Sequence, residues 1–279
     1  MNPETQGNLA GKTVLVTGGA SGLGAAVVQG VLAAGGNAVV LDLSVANETS
    51  RIPTAVGAFA GHASEGGAPA GASAGLSGGE PARNSPGLDA ERTAGFALDV
   101  SDSQAVPDVI AAAAEVFGGI DAVVTAAGID RCGRLDQVAA DDWNKVIGVN
   151  LLGTAAVIRA AMPWLKEAPN GRVVTVASTL GLRALPEATA YCASKFGVIG
   201  FSRALAAETR GEIGVTTLIP GGMNTAFFDS REEKYKPADP SLLNDPARVA
   251  DSVIFALGQP KGCEIRELLV CPSAEDSWP

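Results

Sequence analysis

The chain is almost without histidine. The single one, His62, stands in a stretch of small residues, which excludes multi-histidine metal centres and imidazole-based triads. Cysteine is sparse as well. Cys132, Cys192, Cys263 and Cys271 form no C-x-x-C pair and no zinc-ligand spacing. No metal site is expected, and the thiols read as reduced, as in a cytoplasmic protein. Positive charge is outnumbered: 20 Lys and Arg against 30 Asp and Glu leave a formal charge of −10. Such a surface repels nucleic acid and anionic membranes. No apolar run approaches the roughly 20 residues that span a bilayer. Met1 to Gly11 is polar and has no signal-peptide core. The partner expected is a small molecule, with neither nucleic acid nor membrane.

A length of 279 residues suffices for one large α/β domain, and no linker divides the chain, so residues 1–279 read as a single domain. Thr13 to Thr17 is an apolar, β-branched run ending at glycines, the pattern of a buried parallel strand. Helical spacing follows from Gly22 to Ala34 and stops at Gly35-Gly36, and Asn37 to Asp42 is the next strand. Further strands are expected at 95–100, 121–125, 172–177, 215–219 and 265–270. Helices are expected at 103–117, 140–158 with a second stretch to 166 around Pro163, 189–209 and 245–257. Alternating strands and helices imply a parallel sheet covered on both faces.

One stretch breaks the pattern. From about 46 to 93 the chain is rich in Gly, Ala, Ser and Pro, most of all between Gly57 and Ala90. That composition buries too little surface to offset its ordering entropy. It reads as a flexible surface insertion, with a short helix at Val45 to Arg51. A substrate lid or a docking segment is the alternative.

Four features carry chemistry. The first is Thr17-Gly18-Gly19-Ala20-Ser21-Gly22-Leu23-Gly24, between the first strand and first helix. Gly18 permits a tight turn, Gly22 a close approach of backbone to pyrophosphate, and Gly24 close helix packing, while the helix N-terminus offers N–H donors. The second is Asp42 at the end of the second strand. A carboxylate there accepts from ribose hydroxyls and repels a 2′-phosphate, which favours NAD over NADP. The third is Tyr191 with Lys195, four residues apart and so on one helix face. An ammonium about 5 Å from a phenolate contributes roughly 3 kcal/mol at an effective dielectric near 20, enough to lower the phenol by about two pH units. The fourth is Ser178, just past a strand end, where a hydroxyl can meet a substrate carbonyl oxygen.

In this order and spacing the residues resemble the short-chain dehydrogenase/reductase family over Lys12 to about Pro272. Thr17-Gly18, Gly22, Gly24, Asp99-Val100, Ala127-Gly128, Asn150, Ser178, Tyr191, Lys195, Pro220-Gly221 and Thr225 carry the match. The resemblance implies a Rossmann-type sheet of about seven strands in the order 3-2-1-4-5-6-7. It implies Tyr191 as general acid/base, and Lys195 as the group that lowers its pKa and binds the nicotinamide ribose. Ser178 would hold the substrate oxygen, and Asn150 would position a water behind Lys195. Asp99 would contact adenine beside Val100, and Ala126, Ala127 and Gly128 would line the cofactor. Met223 and Thr225 would hold the carboxamide end. The implied cofactor contacts also include Ser21, Leu23, Leu43, Pro220 and Gly221. A homotetramer, or else a dimer, would form through the helices at 140–166 and 189–209. Thr125 departs from the family, which often has Asn there. A small structural cost with retained activity is expected.

The reaction implied is reversible hydride transfer between NAD and a secondary alcohol or ketone, with an NADPH-dependent carbonyl reductase as the alternative. A non-catalytic NAD-binding sensor is the reading from another class. The substrate pocket is expected from Asp130–Arg134, Leu180–Leu185 and Thr225–Pro237, with Phe227 and Phe228 as an apolar lid; Arg131 and Arg183 read as solvated surface arginines, with pairing to an anionic group as the alternative.

Overall fold

Strand β1, Thr13–Thr17, is buried along its whole length, as a run of β-branched residues and leucine between two helical layers should be. The computed structural model describes residues 9–43 and 91–275. The body of the 46–93 insertion, its short helix at Val45 to Arg51 and His62 lie outside the described residues.

Seven parallel strands lie in the order β3-β2-β1-β4-β5-β6-β7, as the resemblance implies. They are β1, β2 (Asn37–Asp42), β3 (Thr93–Ala97), β4 (Ala122–Thr125), β5 (Arg172–Val176), β6 (Gly214–Pro220) and β7 (Glu267–Val270). The helices are α1 (Gly22–Ala33), α2 (Ala105–Phe117), α3 (Ala140–Ile147), α4 (Thr154–Glu167), α5 (Thr189–Glu208) and α6 (Pro246–Leu257). Side chains alternate between faces along each strand. Leu15, Val39, Val123 and Val173 join the core that holds Ile110 of α2 and Ile158 of α4. Val14, Val16, Val40 and Val124 join the core that holds Val27 of α1 and Val253 of α6. Each fully buried aliphatic side chain contributes about 1.5–3 kcal/mol, so both faces anchor the sheet.

Two expectations are corrected. The third strand begins at Thr93, inside the range assigned to the insertion, because β2 pairs Ala38 with Thr93 and Asp42 with Ala97. Asp99 and Val100 therefore fall in the turn after the strand. The helix of 140–158 and its extension form one run, interrupted by a π-helical turn at Gly148–Gly153 and not by Pro163, which lies inside α4. By length and composition residues 140–167 could cross a membrane, a longer apolar stretch than the sequence pattern shows. Here Val157, Ile158, Ala161 and Leu165 of that run are buried in the core.

Beyond β6 the chain forms a lobe of three short 3-10 turns, Ala226–Phe228, Glu233–Tyr235 and Pro240–Leu242. Its neck is closed where Asn224 N–H donates to the Asn244 carbonyl at 2.8 Å and Asn244 N–H to Gly222 at 2.9 Å.

Candidate active site

A cavity of about 970 Å³ runs over the carboxyl ends of the strands. In an open parallel sheet this is where ligands bind. One end is the glycine turn. Gly18 has φ +66°, and a Cβ there would sit 2.8 Å from Ala127 N. A Cβ on Gly24 would overlap the carbonyl oxygen of Gly18. Only glycine lets the first turn of α1 close on the strand end. Ser21 is the N-cap of α1 but makes no side-chain capping bond, so the helix N-terminus meets the cavity with uncapped N–H groups.

Asp42 lines the same end. Its two carboxylate oxygens accept from Ala20 N–H at 3.0 Å and Leu43 N–H at 2.8 Å, which fixes the side chain between turn and strand. Among the described residues no salt bridge reaches it. Asp99 is held by the Ser101 hydroxyl at 2.6 Å and the Ser101 N–H at 2.9 Å, and these bonds keep its carboxyl below the ordinary range. Leu23, Leu43, Val100, Ala126, Ala127 and Gly128 complete this part of the wall, and Pro220, Gly221, Met223 and Thr225 lie farther along.

At the other end stand Ser178, Tyr191 and Lys195. Helix α5 carries the last two one turn apart, with the Lys195 ammonium 5.6 Å from the centre of the Tyr191 ring. Lys195 Nζ donates to the Val176 carbonyl at 2.8 Å, which ties α5 to the end of β5. Ser178 lies two residues past the end of β5, is buried, and accepts the Leu180 N–H at 3.1 Å. Its hydroxyl acts on the phenol in the direction that favours the phenolate.

The electrostatics differ from the sequence expectation. Tyr191 is pushed up to about 12, because burial of the phenol outweighs the influence of the Ser178 hydroxyl, which favours the phenolate. Lys195 is itself pushed down to about 8 by burial, against a smaller opposing effect of Asp130. Desolvation of both partners overcomes the pairwise attraction that spacing suggests.

Asn150 is buried in the π-helical turn and lies behind the wall. Its Nδ2 donates to the Ile129 carbonyl at 2.9 Å and to Ser194 Oγ at 3.0 Å, and its Oδ1 accepts the Ile129 N–H at 2.8 Å. A Cβ on Gly128 would lie 3.5 Å from Asn150 Oδ1 and 3.6 Å from Lys195 Nζ, so the two side chains flank one point of the wall. The Asn150 carbonyl accepts the Thr154 hydroxyl at 2.8 Å. Thr125 has no hydrogen-bond partner for its hydroxyl among the described residues. The Ala127 N–H is taken by Thr17 Oγ1 at 3.1 Å.

Most of the expected substrate wall is present: Arg131, Leu180, Leu185, Phe227 and Phe228 line the cavity, whereas Arg183 does not. Three features escape sequence reasoning. Ser194 joins Asn150 to α5. Glu275 returns from the C-terminal segment to line the cavity and accepts the Gly222 N–H at 2.8 Å. Arg231 of the lobe donates to Asp130 Oδ2 at 2.7 Å. No sequence signal marks a pair 101 positions apart.

The short chain dehydrogenase model matches residues 76–236. The chain is 35% identical over 213 residues to a D-threitol dehydrogenase of Mycolicibacterium smegmatis, covering 76% of this chain and 70% of that relative. It is 33% identical over 260 residues to the 2,5-dichloro-2,5-cyclohexadiene-1,4-diol dehydrogenase LinX of Sphingobium indicum, covering 88% and 89%. An alcohol dehydrogenase from the archaeon Thermococcus sibiricus, solved with 5-hydroxy-NADP, shares the fold with a TM-score of 0.71, 22% identity and coverage of 95% and 97%. With 58% of its length inside the family match (161 of 279 residues) and relatives above 30% identity along most of their length, the chain belongs to the short-chain dehydrogenase family.

Proposed function

We propose that the protein is an NAD-dependent dehydrogenase interconverting a secondary alcohol and a ketone. The observation that carries this reading is the convergence of Ser178, Tyr191 and Lys195 on one wall of the cavity whose far end is the glycine turn. The residues fit a dinucleotide. The glycines remove the Cβ atoms that would fill the turn, and the uncapped start of α1 offers N–H donors to a pyrophosphate. Asp42, Leu43 and Asp99 would hold the adenosine half, with Val100 and Ala126 to Gly128 along the middle. Pro220, Gly221, Met223 and Thr225 would hold the nicotinamide end. When bound, the oxidised cofactor supplies the hydride acceptor and a positive charge beside the phenol.

Tyr191 takes the hydroxyl proton in oxidation and returns it in reduction. Ser178 and Tyr191 both bond the reacting oxygen, where charge changes most between alcohol and ketone. Lys195, fixed by Val176, holds the nicotinamide ribose and keeps a cation within reach of the phenolate. Asn150 is locked by Ile129 and Ser194 so that its turn stays behind Lys195. The fixed carboxylate of Asp42 disfavours a 2′-phosphate and supports NAD, although a neighbour of the same fold carries an NADP analogue. Self-assembly through α3–α4 and α5 belongs to the same proposal. Leu152 and Phe196 stand exposed there, and light scattering of the purified protein would read the state directly.

The test is absorbance at the reduced-nicotinamide band with NAD or NADP and a panel of secondary alcohols. Reduction of NAD in preference to NADP is expected. Tight NAD binding with no turnover on any alcohol would favour the sensor reading instead.

A further inference from the structure

Arg231 is unusual among the cations of the cavity. Its side chain is 16% exposed, and the Asp130 carboxylate it meets at 2.7 Å is 4% exposed. Arg131, Lys234 and Lys236 also line the cavity, but each has an exposed acidic partner at 3.1–3.5 Å. A buried ion pair is weak evidence of stability, because desolvation offsets most of the attraction. This one spans two functional loops, the turn after β4 and the lobe after β6.

The guanidinium has five N–H donors. Beyond the short bond to Asp130, one nitrogen reaches the Tyr235 carbonyl at 3.4 Å, and Nε has no partner among the described residues. The group lies over Phe227 at 5.0 Å and Phe228 at 4.6 Å, and Phe227 packs on Tyr191 at 5.8 Å between ring centres. Donors are therefore held one aromatic ring away from the reacting phenol. Arg231 faces the cavity while Asp130 lies behind it. The charge is already neutralised, yet hydrogen-bond donors remain.

We infer that Arg231 is a specificity residue that reads a second, uncharged oxygen on the substrate, so that the preferred substrate is a vicinal diol or polyol rather than a simple alcohol or a hydroxy acid. The inference rests on the dehydrogenase reading above. Asp130 acts as a positioning residue that orients the guanidinium and cancels its charge.

The experiment compares kcat/KM for isopropanol, propylene glycol and lactate, which share a carbon skeleton, and for cyclohexanol against its vicinal diol. In the wild type the diols should lead the mono-alcohols by roughly tenfold or more, as expected for a bond to a charged donor, with lactate behind. Arg231→Met should collapse the diol-to-alcohol ratio, and Arg231→Lys, which keeps the charge and loses the fork, should lower it. Asp130→Asn should move the ranking toward lactate. Cofactor binding and the unfolding temperature establish that each variant is folded, and the wild-type ratios need no variant. Turnover without discrimination, or a ratio that survives in folded Arg231→Met, would overturn the inference and leave the dehydrogenase reading standing. A preference for lactate would replace it with charge recognition. Failure to oxidise any of the five with either cofactor would overturn both.

Discussion

The amide of Asn150 donates to the hydroxyl of Ser194 at 3.0 Å, and Ser194 in turn donates to the Tyr191 carbonyl at 2.8 Å. The π-helical turn is thereby tied to the helix that carries Tyr191 and Lys195. Ser194→Ala leaves one N–H of buried Asn150 without a partner, which costs about 1–3 kcal/mol. The expected result is a lower unfolding temperature together with a fall in kcat at nearly constant KM for NAD. A variant that loses stability with unchanged kcat would confine Ser194 to holding the fold together.

Tyr191→Phe removes one oxygen from a ring already packed against Phe227, so the fold should tolerate it. It also removes the group that the proposed function assigns to accept the substrate proton. Turnover should fall by roughly 10²–10⁴-fold, the usual size of general acid/base catalysis. Fluorescence titration with reduced NAD should still show binding. Retained turnover would move the proton transfer to another group.

Lys195 links catalysis to stability through pH. Burial sets it at about 8 against an ordinary 10.5. Between those values the unfolded chain keeps a proton that the folded chain has lost, so stability rises with pH across that window. Below pH 8 the folded protein carries a buried cation that costs roughly 3 kcal/mol. Lys195→Met should therefore unfold at a higher temperature than wild type at pH 7, less the lost bond to Val176, and its advantage should vanish by pH 10.5. Its turnover should drop throughout. A pH-independent difference in unfolding temperature would show that the ammonium is not depressed.

The parts of the site legible in the sequence are those set by local geometry. The glycines of the turn and the one-turn spacing of Tyr191 and Lys195 act over a few residues, and the strands' apolar runs fix their place in the sheet. Thr93 was hidden because its strand emerges from the small-residue insertion, and only pairing with Ala38 reveals it. The Arg231–Asp130 pair and the return of Glu275 depend on how loops close over the sheet, which no periodicity encodes. The direction of the Tyr191 shift was misread for another reason. A two-charge argument from spacing omits the desolvation of both groups, and burial is known only once the cavity walls are in place.

Asp42 offers the sharpest test of cofactor choice. Its oxygens bond the Ala20 and Leu43 N–H groups, so the carboxylate cannot swing away from an incoming 2′-phosphate. Bringing two anions together costs several kcal/mol, which corresponds to discrimination on the order of a hundredfold or more. Asp42→Ser keeps a small acceptor for one of those N–H groups and removes the charge. The ratio of kcat/KM for NAD to that for NADP should fall by at least roughly tenfold, mainly through better use of NADP. Adding salt should shrink the wild-type ratio and barely move that of the variant, because only the wild type repels by charge. A ratio unchanged by the substitution would place cofactor selection elsewhere, beyond the end of β2.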